Sequence, residues 1–345
     1  MREEIRFCRS CGVPSIIAEN FIWHTNGTIT FRQIENYRMV ILERDLIDAV
    51  FRGIESRIGL PIERIVIEAE RKGTKKYVDS LLTGLKGRMI RAFGRKRVAE
   101  QLVKVGRAFG YGAITLKEYI LGENVEVEVD DPYIPSLMVG NVAGSFESLE
   151  QAKPKFTWKM KGRRCIIKVE ITAEESIFDE RFRYKEELTL PGKGEHELCD
   201  GCNIPLAVSK EFQWDIENGS VTDSRDRRVF FIGLQHINSI FDELENELGE
   251  EIPSIMTDSV KAHVRRESEG LEDKDYLKGI EFFKLRGYGD PVALDRRDKG
   301  IEIKIQNPSN IPFLAGIVGG IFESAEGDAE IEWEKKDGIA IIRVR

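Results

Sequence analysis

Cys8-Arg9-Ser10-Cys11-Gly12-Val13-Pro14 stands near the start of the sequence and returns as Cys199-Asp200-Gly201-Cys202-Asn203-Ile204-Pro205. A Cys-x-x-Cys followed by a turn-prone residue bends the backbone so that both sulfurs face one point, and nearby N–H groups can offset thiolate charge. One such pair supplies half of a tetrahedral site. The two pairs together supply four thiolates and account for every cysteine except Cys165. The expectation is one structural Zn2+ shared by Cys8, Cys11, Cys199 and Cys202, near a pseudo-two-fold axis that relates two copies of a module. Four thiolates leave no open position for a substrate. Iron in a rubredoxin-like centre is the alternative ion, since the same ligands serve it. A redox dithiol is the rival reading; such motifs sit at helix N-termini, and Gly12 and Pro14 lead instead into strand-like sequence. His196, three residues before Cys199, is read either as a substitute ligand or as a solvated linker histidine. His24, His236 and His263 share no spacing and receive no role.

The 345 residues suffice for two domains with their own cores. A composition of 41% apolar and 32% charged residues is that of a globular chain, and no run of eighteen apolar residues is present to span a bilayer. Met1-Arg2-Glu3-Glu4-Ile5-Arg6 carries neither an apolar core nor a cleavage site for export, so a cytoplasmic location is expected. In a reducing compartment, paired cysteines read as metal ligands rather than as disulfides. The formal charge of −8 argues against a chain that coats nucleic acid but allows a local basic face.

The duplication continues beyond the cysteines. Phe21-Ile22-Trp23 and Asn26-Gly27 match Phe212-Gln213-Trp214 and Asn218-Gly219, aromatic strands that enter Asn-Gly turns with positive φ expected at both turn centres. Leu46, Ile47, Val50, Phe51, Ile54 and Ile58 mark one face of a helix ending at Gly59, and Ile237, Ile240, Phe241, Leu244 and Leu248 mark its counterpart ending at Gly249. Further helical sequence leads to Gly110-Tyr111-Gly112 and Gly287-Tyr288-Gly289. The offset between copies falls from 190 at Gly59 and Gly249 to 177 at Gly110 and Gly287, so the first copy carries thirteen extra residues. Alternating strands follow, with Val125, Val127 and Val129 against Ile301, Ile303 and Ile305. Then come Pro132 and Pro308, helices bearing Gly140 and Gly144 or Gly316 and Gly320, and a closing hairpin with Trp158 or Trp333. The division is 1–171 for the first repeat, 172–197 for a charged connector and 198–345 for the second repeat, a pseudo-dimer within one chain.

The second half of each copy, about Gly110–Ile171 and Gly287–Val344, resembles the 4-vinyl-reductase or hydrocarbon-binding domain family, whose fold is shared with haem-nitric-oxide-binding and Golgi-tethering domains. The residues that carry the resemblance are Gly140, Gly144 and Phe146, and Gly316, Gly320 and Phe322. It implies an α+β fold, helices on a small antiparallel sheet in each repeat, enclosing an apolar pocket for a small hydrophobic or aromatic molecule. Sensors of this family hold zinc through cysteines near the closing hairpin; here only Cys165 lies there, so that metal site is not carried over.

The glycines four apart on each helix read first as a close packing surface. No Gly-Lys-Ser/Thr follows to make a phosphate loop, and no nucleophile elbow, His-Glu-x-x-His or singled-out carboxylate pair marks an enzyme. Lys and Arg gather between Arg71 and Arg107, opposed in that stretch only by Asp79 and Glu100. They read either as the solvated side of helices with an apolar stripe of Val98, Leu102, Val105 and Phe109, or as a face for an acidic protein partner or RNA; no aromatic interleaving for base stacking accompanies them. Three functional readings result: a zinc-stapled tandem binding protein that senses or carries a hydrophobic molecule, an interaction protein that docks through its basic helices, and, by resemblance alone, an accessory enzyme of tetrapyrrole or aromatic metabolism.

Overall fold

The computed structural model describes residues 5–34, 36–173, 189–268, 280–297 and 300–345. In the first repeat, α1 (Ser15–Asn20) leads into β1 (Phe21–Trp23), β2 (Ile29–Phe31) and β3 (Arg38–Glu43), followed by α2 (Arg44–Ile58), α3 (Glu63–Leu81), α4 (Gly84–Phe93) and α5 (Arg95–Ala108). β4 (Ala113–Ile120), β5 (Asn124–Asp130), α6 (Pro135–Glu150), β6 (Pro154–Lys161) and β7 (Arg164–Ile171) complete it. The second repeat runs α7 (Leu206–Glu211), β8 (Phe212–Asp215), β9 (Ser220–Asp223), β10 (Arg228–Gly233), α8 (Leu234–Leu248), α9 (Ile252–Glu267), α10 (Phe282–Arg286), β11 (Asp290–Arg297), β12 (Gly300–Gln306), α11 (Ile311–Glu326), β13 (Ile331–Lys336) and β14 (Ile339–Val344). The fold is α+β with repeated units, as the residues led us to expect.

Each repeat closes its own antiparallel sheet, β4-β5-β7-β6 and β11-β12-β14-β13. Period-two alternation sends Val125, Val127 and Val129, or Ile301, Ile303 and Ile305, inward. The glycine-bearing helices then clamp onto a neighbouring helix. A Cβ on Gly140 or Gly144 would stand 2.5 Å from the Ile67 carbonyl oxygen or 2.2 Å from that of Arg71, and one on Gly316 or Gly320 would meet Thr257 or Lys261 oxygen at 2.7 Å. Close packing of α6 on α3 and of α11 on α9 therefore excludes any side chain there. The glutamate of each Phe-Glu-Ser run locks the same pair: Glu147 binds buried Arg71, and Glu323 lies 2.8 Å from Lys261.

A third sheet joins the repeats, in the order β1-β2-β3-β10-β9-β8. Its seam is antiparallel, with Ile41 opposite Phe231, Met39 opposite Gly233 and Glu43 opposite Val229. All six residues of β3 are buried, so the seam is core rather than edge. The repeats also exchange contacts reciprocally: α2 packs on α9 and α8 on α3. Trp23 Nε1 donates to Leu285 O at 3.0 Å, and Trp214 Nε1 to Ala108 O at 3.2 Å. Arg38 and Arg228 reach the carbonyls of Asn307 and Asp131 at 2.7 and 2.8 Å. Gly289 N donates to Gly27 O and Gly112 N to Gly219 O. Each hairpin thus docks on the Gly-Tyr-Gly of the other repeat.

Two local expectations need correction. Only the glycine of each Asn-Gly turn has positive φ, +76° at Gly27 and +59° at Gly219. Asn26 instead uses its side chain, which accepts from the amide and hydroxyl of Thr28. The glycines are needed twice over, because a Cβ there would strike Gly289 at 2.2 Å or Gly112 at 1.9 Å. Secondly, each cysteine turn is followed by a six-residue helix, α1 or α7, rather than directly by a strand. Six residues are too few to show helical periodicity in sequence. Of the connector 172–197, residues 174–188 lie outside the described residues, while Leu190 is tied to Asn26 and Asn307 by hydrogen bonds of 2.7–3.0 Å.

Candidate metal centre and ligand cavity

The cysteine turns are built alike. Cys8 N donates to Val13 O and Gly12 N to Cys8 O, and Cys199 N donates to Ile204 O and Asn203 N to Cys199 O. The residue after the second cysteine takes the left-handed conformation in both, Gly12 at +76° and Asn203 at +60°. Bridges from Phe7 to Pro14 and from Leu198 to Pro205 close each loop before its helix begins, so the thiols do not sit at a helix N-terminus.

The two turns meet. Cys8 Sγ is 3.8 Å from Cys199 Sγ, Cys11 Sγ is 3.5 Å from Cys202 Sγ, and all four sulfurs lie within 4.8 Å of one another. A tetrahedral ion with metal–sulfur bonds of about 2.3 Å places its sulfurs about 3.8 Å apart. The four thiols are free rather than disulfide-bonded and can hold a metal ion. Gly201 allows this approach, since a Cβ there would stand 3.0 Å from Cys8 Sγ. The Ser10 and Cys11 amides bring the Cys8 thiol down to about 6, whereas burial pushes the Cys11 and Cys202 thiols up. A divalent ion taken up here displaces those thiol protons. His196 is not in the cluster.

A cavity of about 60 Å³ opens in the first repeat between α5, α6 and the β4-β5-β7-β6 sheet. Leu102 and Val103 form one wall, Ile114, Val125 and Val127 the floor, and Met138, Val142 and Phe146 the other wall. Beside it lies a chamber of about 40 Å³ bordered by Tyr37, Thr74, Tyr77, Tyr111 and His236. Leu102, Asn141 and Ser145 line both. One water needs about 10–15 Å³ of such space, so each chamber takes several water-sized groups. The arrangement pairs an apolar compartment with a hydrogen-bonding one. The matching positions on α11 are Ile317 and Ile321 in place of Asn141 and Ser145, and the stretch 269–279, which would complete the comparison, lies outside the described residues.

Sequence reasoning gave His236 and His263 no role, and neither has a local motif to reveal one. His236 Nε2 lies 2.8 Å from the Tyr37 hydroxyl, and its Nδ1 is 3.5 Å from buried Glu70, whose other oxygen accepts from Thr74. His263 Nε2 is 3.1 Å from Glu43. Burial pushes the Tyr77 and Tyr111 hydroxyls up, so both stay protonated donors at neutral pH. The basic stretch is also less bare than its sequence implies. Besides Asp79, which takes Lys75 and Arg91, acids outside the stretch or on α3 take two more arginines: Glu68 and Glu147 bind Arg71, and Glu150 lies 2.6 Å from Arg95.

No helix among the described residues is long and apolar enough to cross a membrane. No family model matches the chain, and no curated protein matches it. Among solved structures it is similar to a mutant H-NOX of T. Tengcongensis, at 16% identity over 33% of this chain and 72% of that one, with a TM-score of 0.24. A structure titled for the molecular mechanism of H-NOX activation is matched at 16% identity over 40% of this chain and 80% of that one, with a TM-score of 0.25. At such scores the likeness carries no argument about fold or ligand.

Proposed function

We propose that the chain is a metal-stapled tandem binding protein of the 4-vinyl-reductase type that carries or senses a small hydrophobic or aromatic molecule. The observation that supports this most is the cavity of the first repeat, apolar on three sides and offering Asn141 and Ser145 at its junction with the second chamber. Apolar burial would supply most of the binding free energy, and the two polar side chains would orient the ligand. The ion in this reading is zinc, held by Cys8, Cys11, Cys199 and Cys202 and serving structure alone, because all four positions are filled by protein sulfur. It fastens the loops that precede the shared sheet.

Native mass spectrometry of the purified chain tests both parts. The expected spectrum shows one zinc ion and a retained small molecule that is lost on denaturation. A spectrum with neither, together with no binding of small aromatic probes, contradicts the proposal.

A further inference from the structure

The thirteen residues by which the first repeat exceeds the second fall between Tyr77 and Val105, the stretch that contains α4. Leu85, Met89 and Phe93 recur every four residues along this ten-residue helix and so share one face. They are 72%, 59% and 91% exposed, while Gly87 is buried and Ile90 packs on the core from the opposite side. The helix is therefore already anchored inward, and its outward ridge of large apolar side chains stays exposed among the described residues.

We propose that α4 docks on an anionic lipid bilayer surface. Charge selects the occupant. From Thr83 to Ala99 there is no acidic residue, in a chain whose net charge is −8. Arg91 and Arg95 are engaged by Asp79 and Glu150, but Arg88 lies exposed beside Met89, and Lys96 and Arg97 lie exposed three and four residues beyond Phe93. RNA would satisfy these cations and leave the ridge of Leu85, Met89 and Phe93 in water. A second copy of the chain would cover the ridge but set like charges against each other. An anionic bilayer offers hydrocarbon to the ridge and phosphate to the cations, which is how short interfacial helices lie in a membrane plane. The inference stands on the exposed face of α4 and does not use the cavity or the metal centre.

Flotation of the full chain with extruded vesicles tests it. Vesicles of phosphatidylcholine with phosphatidylglycerol are expected to carry the protein upward, vesicles of phosphatidylcholine alone are not, and added salt releases it. The variant L85S/M89S/F93S keeps the thermal unfolding of the parent, because all three side chains are exposed, and floats about tenfold less. Should that variant fail to fold, R88E/K96E/R97E reads the electrostatic half, with the same loss expected. Absence of flotation with anionic vesicles, or flotation that both variants retain, overturns the proposal. So does concentration-dependent self-association, or binding to an acidic protein, that L85S/M89S/F93S abolishes while no vesicle binding is seen.

Discussion

The two repeats present the same positions to each other across the β3–β10 seam and fill them with different chemistry. On one side Tyr37 reaches His236 at 2.8 Å over Gly233, and a Cβ on that glycine would stand 2.2 Å from the Tyr37 hydroxyl oxygen. On the other side the positions that correspond to Tyr37 and Gly233 hold Arg227 and Glu43, which pair at 2.8 Å, with His263 joining Glu43. Arg286 continues that second network inward, 2% exposed, bound to buried Asp223 and stacked 5.0 Å from the Phe282 ring centre. One side sets a tyrosine–histidine pair and the carboxylate of Glu70 beside a hollow; the other is a network of arginines and carboxylates. A duplicated scaffold has thus kept its glycine contacts and its cysteine turns while the two sides of the seam hold different chemistry, the first of them beside a hollow.

Breaking the charged side should cost most. Arg286→Met removes one of the two arginines that pair with buried Asp223, Arg227 remaining at 2.7 Å, and urea unfolding is expected to show a loss of about 2–3 kcal/mol, against about 1 kcal/mol for Tyr37→Phe, which removes the hydrogen bond to His236. Equal losses would erase the distinction. Acid should probe the same contrast more gently. Despite the opposing effect of burial, the surrounding cations and hydrogen bonds hold Asp223 and Glu43 below their ordinary carboxylate values. Carboxylates depressed in the folded state stabilise it above their unfolded values and lose that contribution as pH falls through the folded ones. The melting temperature of the parent should therefore decline below about pH 4, the ordinary carboxylate range, and a variant with Asp223→Asn should decline less steeply from a lower start.

A shared feature sharpens the comparison from the other direction. Gly144→Ala drives a Cβ against the Arg71 carbonyl at 2.2 Å, and Gly320→Ala meets Lys261 at 2.7 Å. Both should destabilise by about 1–3 kcal/mol, the first more than the second, as thermal or urea unfolding will register. The smallest change in stability is expected where the hollow is filled in the image of the other repeat. Asn141→Ile with Ser145→Ile should leave the unfolding midpoint nearly unchanged while abolishing retention of the small molecule in native mass spectra. Retention that survives this pair places the ligand elsewhere.

How much of this was legible in the sequence follows from the range of each interaction. The cysteine turns, the helix from Arg44 to Ile58 with Gly59 at its end, and the alternation of Val125, Val127 and Val129 are local patterns, and they read directly. The glycine pair on α6 announced a close approach without naming α3 as the partner. What could not be read depends on distant segments meeting. His236 gains its meaning only when Tyr37, 199 residues away, and Glu70 arrive beside it. Arg71 and Arg95 looked like surface cations because Glu147 and Glu150 lie 76 and 55 residues further on. Likewise, nothing local says that each hairpin docks on the Gly-Tyr-Gly of the other repeat.

The cysteine centre is where the two repeats must act as one, and X-ray absorption at the metal edge of the purified chain, with metal counted per chain, addresses it most directly. One ion per chain surrounded by four sulfurs at about 2.3 Å is the expected result, with Cys8→Ser and Cys202→Ser each disturbing that single site. Two ions per chain, or a first shell with two sulfurs completed by nitrogen or oxygen, would mean that the turns bind separately and would contradict the account.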